Sequence, residues 1–166
     1  MEPTKRMHSK ILNRDALRRQ VDEWRRAGDR ITLANGAFDL LHVGHVRYLR
    51  GAKALGGKLV VALNSDESVR ALKGVGRPVM PENERAEIVA ALADVDAVTI
   101  FPELDVRGII REIRPDIQAK GTDYAADSVP ERDAVAEYGG RVEIVGDPKD
   151  HSTSEIIRTR LSPREP

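Results

Sequence analysis

The sequence predicts an α/β fold in which five parallel strands form one sheet with helices on both faces. Three observations carry this. Short apolar runs alternate with segments of helical periodicity, and that alternation requires crossover connections, hence parallel neighbours. Lys58-Leu-Val-Val-Ala-Leu63 is continuously apolar after its lysine, as expected of a strand buried on both faces. Asn35-Gly-Ala-Phe-Asp-Leu-Leu-His-Val-Gly-His45 joins an apolar run to an amphipathic one, as a strand-to-helix turn does.

The elements follow in order. Asn13 is placed as an N-cap, with Leu12 and Leu17 as a hydrophobic staple. Leu17, Val21 and Trp24 keep helical spacing until Gly28 stops the helix. A strand over Arg30–Ala34 leads through the turn at Gly36 to a helix from about His45 to Leu55, closed by Gly56-Gly57. After the Lys58–Leu63 strand come a short helix, Glu67–Leu72, and a Gly/Pro loop, Gly74–Pro81. Pro81 suits the first turn of the next helix, which is expected to reach about Ala93. A third strand, Ala97–Phe101, precedes an amphipathic helix marked by Val106, Ile109, Ile110 and Ile113 and halted before Pro115. Strands at Ile117–Lys120 and Arg141–Val145 flank a helix over Pro130–Tyr138, and Ser154–Leu161 closes the chain as a helix.

Composition narrows the class. A chain of 166 residues suits one domain, here 30–161, with 1–29 as an N-terminal extension carrying a helix and 162–166 as a frayed tail. At 40% hydrophobic and 4% aromatic, the core must be filled by Leu, Ile, Val and Ala. Twenty-seven basic and 27 acidic residues leave a formal charge of zero, which argues against a general nucleic-acid binder. There is no cysteine, hence no disulfide framework, and no apolar run of membrane-spanning length. A cytoplasmic location without membrane attachment is expected.

Ligands of parallel sheets bind beyond the carboxyl ends of the strands. The segments Asn35–His45, Asn64–Glu67, Lys120–Tyr124 and Gly146–Ser154 all fall there. A helix that starts with two histidines offers unpaired N–H groups, a positive dipole end and two imidazoles to an anion, and Gly44 allows close approach. Neither GxxxxGK[ST] nor GxGxxG occurs. A metal pair is the competing reading of His42 and His45, but a catalytic zinc takes three protein ligands and the chain lacks HExxH here.

Further residues are placed at the same end. Lys73 stands in a loop able to close over the site, or is a solvated lysine; Arg77 shares that loop. Arg85 falls on the apolar face of its helix with Ile88, Val89 and Leu92, and is expected to aim its guanidinium at the site rather than snorkel. Asp39 is expected to order the turn or a Mg2+ shell. Asp123 and Tyr124 are expected to shape a base or sugar pocket, or to be a turn residue and a packed tyrosine. Ser152-Thr153-Ser154-Glu155 matches a capping box and, by the same geometry, a phosphate-binding helix start. Arg158 joins Ser154 or pairs with Glu155.

These pieces resemble the HxGH nucleotidyltransferase superfamily in its cytidylyltransferase-like branch, whose signature is Gly-x-Phe-Asp-x-x-His-x-Gly-His. Lys120-Gly-Thr-Asp-Tyr124 and Gly139-Gly140 are similar to the adenylyltransferase domains of bacterial ADP-heptose synthases. The resemblance runs in order over about residues 31–161. It implies a Rossmann-like sheet and an enzyme that joins ATP to a sugar 1-phosphate, with Mg2+ carried by the triphosphate and no metal held by protein ligands alone.

By that resemblance, His42, His45 and Lys73 are the catalytic set. Asn35, Gly36, Ala37, Phe38, Gly44, Lys120, Gly121, Asp123, Ser152, Thr153 and Ser154 join the two histidines and Arg85 around the nucleotide. Asp39, Lys73, Arg77, Tyr124 and Arg158 face the second substrate. A separate sugar kinase supplying that substrate and a homodimer are further expectations. A glycerol-3-phosphate cytidylyltransferase and a non-catalytic nucleotide sensor are the rival readings. Asp147-Pro-Lys-Asp-His151 stands where the glycerol-phosphate enzymes carry Arg-Thr-Glu-Gly, and this tells against the first. Asp147 and Asp150 suit sugar hydroxyls as acceptors, while the roles of Lys149 and His151 stay open. No residue pattern alone distinguishes adenine from cytosine.

Overall fold

A computed structural model of the chain describes residues 9–148 and 156–158. Helix α1 (Arg14–Arg26) precedes β1 (Ile31–Gly36), α2 (Val43–Ala54), β2 (Lys58–Asn64), α3 (Asp66–Lys73) and α4 (Glu82–Ala90). There follow β3 (Ala97–Phe101), α5 (Arg107–Ile113), β4 (Ile117–Lys120), α6 (Arg132–Ala136) and β5 (Arg141–Ile144). The strands form one sheet in the order β3-β2-β1-β4-β5, and every pairing is parallel. The chain winds outward from β1 to β3, then returns to lay β4 on the other side of β1. The crevice at that reversal is where open α/β sheets take their ligands.

Strand alternation sends two apolar sets to opposite faces. Ile31, Leu33, Val60 and Ala62 pack with Leu17 and Val21 of α1, Ile109 and Ile110 of α5, and Val135 of α6. Ala34, Val61, Leu63 and Val98 pack with Leu49 and Ala52 of α2 and with Val89 and Ala90 of α4. The expected sheet with helices on both faces is the observed one.

Boundaries shift where tertiary contacts extend or shorten a local pattern. β1 runs on to Gly36 because Asn35 and Gly36 stay in register with Ala62 and Leu63. α2 starts at Val43, ahead of the expected His45, with His42 as its N-cap. α4 ends at Ala90 short of Ala93, and α6 is confined to Arg132–Ala136 within the expected 130–138 span. Of the closing helix, residues 156–158 are helical and the rest lies outside the described residues.

The 1–29 stretch is not set apart from the sheet in its described part. Asn13 caps α1 by accepting from Ala16 N–H. Leu12 N–H donates to Val98 O and Lys10 O accepts from Val98 N–H, so this segment lies along the outer edge of β3. Leu17 and Val21 are each 1% exposed.

Candidate active site

The carboxyl ends of β1, β4 and β5 and the start of α2 enclose a cleft of about 660 Å³, within the usual range for small-molecule sites. Its lining includes Asn35, Gly36, Ala37, Phe38, Asp39, His42, Gly44, His45, Lys73, Lys120, Gly121, Asp123 and Tyr124, all singled out from the sequence.

Local folding explains why the histidines arrive there. Phe38 has φ +47°, a left-handed conformation that non-glycine residues adopt at a cost. The buried ring repays the strain by packing on His45 at 5.1 Å and stacking on Tyr48 at 6.5 Å between centroids. That kink releases the chain from β1 and turns it into α2. The rings of His42 and His45 stack at 3.8 Å, and His42 N–H approaches His45 Nδ1 at 3.4 Å. Burial lowers His45 to about 4, helped by the charges of His42 and of Lys73 across the cleft and opposed by a Leu40 backbone hydrogen bond. Gly44, in the first turn of α2, brings a helix N–H group to the same wall, while His45 N–H donates to His42 O at 2.9 Å.

Asp39 does its work beneath this wall. It is 1% exposed and accepts from Val79 N–H at 2.7 Å, Met80 N–H at 3.1 Å and Arg77 Nε at 2.6 Å. Burial pushes its carboxyl up, but the Met80 amide, the Arg77 guanidinium and the Val79 amide outweigh that and hold it below the usual range. The carboxylate therefore orders the turn, which is one of the two roles expected of it. Arg77 is committed to Asp39 and does not line the cleft, so its expected place against the second substrate is corrected.

Arg85 is corrected as well. Its guanidinium is buried and donates to Ala37 O, Asn64 O and Met80 O while pairing with Asp66 at 2.6 Å. β1 and β2 end at this point, so their last carbonyls need donors, and a rigid five-donor fork supplies several at once. Arg85 is a brace behind the site, not a group that lines the cleft.

On the β4 side, Lys120 pairs with Glu131 at 3.1 Å and stands 5.3 Å from the centre of the Tyr124 ring. Thr122 Oγ1 donates to Asp147 O, and Arg47 of α2 pairs with Asp147 at 2.8 Å. Asp147 thus already has a cationic partner, which weakens its expected role as a sugar acceptor. Arg47 also brings to this place a guanidinium that the local segment lacks. Lys149, Asp150, His151, Ser152, Thr153 and Ser154 lie outside the described residues; Arg158 is exposed. Gly139 and Gly140 turn the chain into the amino end of β5, where an added Cβ on Gly140 would meet Pro115 O at 2.9 Å. They serve the turn and are remote from any base in the cleft.

Three residues of the site escaped the sequence reading. Tyr48 follows His45 by one helical turn and also lines the cleft, donating to Ala119 O at 2.8 Å; a helical wheel would have placed it. Glu131 and Arg47 carry no motif and are found only through their partners.

Residues 33–160 match the cytidylyltransferase-like family. The chain belongs to that family. Among curated relatives of this cytidylyltransferase-like domain is the Bifunctional protein HldE of Methylobacillus flagellatus, 48% identical over 92% of this chain and 31% of that protein. The Bifunctional protein HldE of Pelobacter propionicus is 50% identical over the same shares. The chain spans about a third of the length of the curated relatives it matches. Among solved structures, the lipopolysaccharide core biosynthesis protein from Thermoplasma volcanium GSS1 superposes with a TM-score of 0.61 at 32% identity, over 70% of this chain and 94% of that one. A cytidylyltransferase-like domain is a nucleotidyltransferase, as the HxGH resemblance implies. No helix among the described residues is long and apolar enough to cross a membrane.

Proposed function

We propose that this domain transfers an adenylyl group from ATP to D-glycero-β-D-manno-heptose 1-phosphate, giving ADP-heptose and pyrophosphate. The observation that carries the reading is the stacked His42–His45 pair at the start of α2, with Lys73 on the same cleft. The heptose assignment draws on the similarity to the HldE proteins and on the lipopolysaccharide context of the Thermoplasma neighbour.

In this reaction a sugar-phosphate oxygen attacks the α-phosphorus in line. The new P–O bond forms as the bond to the β-phosphate oxygen breaks, and pyrophosphate leaves with its electron pair. Positioning and charge stabilisation suffice, without a covalent protein intermediate. His42, His45 and the α2 amides would hold the triphosphate, and Lys73 would meet the negative charge that grows on the leaving group. The buried Phe38 ring, stacked on the half-buried Tyr48, packs against His45 and helps to hold it in place. Among the described residues no cluster of three His, Cys, Asp or Glu residues occurs, and Asp39 is paired with Arg77. The Mg2+ of this reading travels with the triphosphate and screens its charge.

A kinase activity must supply the sugar 1-phosphate. A homodimer also belongs to the proposal and is checked by light scattering. The deciding experiment measures pyrophosphate release over a matrix of nucleoside triphosphates and phosphorylated acceptors. ATP with the heptose 1-phosphate should give the highest kcat/KM. A higher value for CTP with glycerol 3-phosphate would sink the assignment.

A further inference from the structure

The β4 floor of the cleft holds a carboxylate that no motif announced. Lys120 and Glu131 are each 5% exposed, both line the cleft, and they approach at 3.1 and 3.3 Å. The other cation on this side among the described residues, Arg47, is matched by Asp147. Continuing the β1–β4 register two residues past Leu33↔Gln118 sets Asn35 beside Lys120. Asn35 Oδ1 is buried and accepts no hydrogen bond among the described residues. Asp123 adds a further carboxylate to the same lining.

Among the described residues, both cations lining this half are therefore paired, and what those residues present to a ligand is mainly hydrogen-bond acceptors. The half formed by α2 and Lys73 is the opposite: a helix start and an ammonium. A phosphate drawn toward β4 would meet carboxylates in a partly desolvated site, where like charges repel strongly. Hydroxyl or amino groups would find acceptors there.

We propose that Glu131 is a specificity-determining residue. By closing an ion pair on Lys120 it turns the β4 floor into a charge-cancelled subsite for hydroxyl- or amine-bearing parts of the substrates, and it confines the phosphate chain to the α2 side. The inference rests on the nucleotidyl-transfer reading. Without the Glu131 charge, Lys120 is a buried ammonium without a paired carboxylate, and an anion is the ligand that relieves it.

The test uses inorganic pyrophosphate, which carries neither base nor sugar, titrated into the full chain by calorimetry. Glu131→Gln should bind pyrophosphate about tenfold more tightly than the parent chain, in a salt-sensitive manner. The same variant should lose kcat as phosphates settle in the wrong half. Replacing the neutral pair by a neutral pair, Lys120→Met with Glu131→Gln, should leave pyrophosphate affinity within about twofold of the parent. The double variant leaves no charge buried alone, and it keeps the proposal open to test where Glu131→Gln does not fold. A tenfold loss of affinity in the double variant would make Lys120 a phosphate anchor and overturn the proposal. So would unchanged or weaker binding by folded Glu131→Gln. If the parent chain binds neither pyrophosphate nor any nucleoside triphosphate, the nucleotidyl-transfer reading falls and takes this inference with it.

Discussion

His45 is neutral at pH 7, because burial and the nearby charges of His42 and Lys73 lower it to about 4. A bound triphosphate brings opposite charge beside the ring and favours the imidazolium. Binding near pH 6 should therefore take up protons, seen as a dependence of the calorimetric enthalpy on buffer ionisation that His45→Gln removes. The same shift makes a statement about stability. The ring's ordinary value is 6.5, so between pH 6.5 and 4 the unfolded chain binds a proton that the folded chain does not. Stability is intact above that window and falls as the pH drops through it, by about 3 kcal/mol at its foot. Urea midpoints at pH 7 and 4.5 should differ accordingly, and His45→Gln should shrink the difference. In turnover, His45→Ala should cost about 10²-fold, the scale of one preorganised donor, with thermal unfolding little changed. Near-normal turnover would remove the start of α2 from the chemistry. The two histidines were legible in the sequence because their chemistry is tied to spacing along one helix. Glu131 was not, because its meaning comes from Lys120, an ordinary-looking lysine until the fold sets the two side by side.

Elements are joined behind the site by two buried residues, and these divide the labour of holding it. Asp39 ties the α3–α4 connection to the turn before α2 through Val79, Met80 and Arg77. The connection is thus pinned from residue 77 onward, and only its Gly74–Gly76 portion, with Val75 fully exposed, lies beyond that anchor. Nucleotide should protect residues 74–76 from proteolysis and leave 77–80 much as before. Asp39→Asn should open the whole connection to cleavage in the absence of nucleotide; equal cleavage rates in parent and variant would deny the anchor. Arg85 ties α4 to the ends of β1 and β2. Arg85→Met strips donors from the buried Asn64 carbonyl and the part-buried Ala37 and Met80 carbonyls, and should lower stability by about 3 kcal/mol. The helical pattern of α4 was readable and correctly put Arg85 on the inner face. The destination of its guanidinium was not readable, since unpaired carbonyls at strand ends leave no trace in composition or periodicity.

For the molecule as a whole, a five-stranded parallel sheet with helices on both faces was implied by alternating strands and helices, whereas the order β3-β2-β1-β4-β5 and the use of residues 10–12 along the edge of β3 were not. That segment has no strand-like pattern of its own and is recruited by the free edge of Val98. A chain cut back to residue 29 should accordingly lose cooperative unfolding, because one face of the sheet is stripped of Leu17 and Val21 and an edge is bared. Leu17→Ala in the full chain should cost about 2–5 kcal/mol by denaturant titration. The central place of β1 reaches further than binding. Its two neighbours, β2 and β4, are both parallel, and Thr32 lies beside Leu59 on one side and the far more distant Ile117 on the other. Among the described residues no hairpin is available to start the sheet, so loop closure must be met before these contacts reward it. The strand that delivers both histidines is thus completed only when distant chain segments meet. In refolding experiments, recovery of nucleotide binding should trail the recovery of helical signal, and the lag should lengthen in variants that weaken the β1–β4 seam.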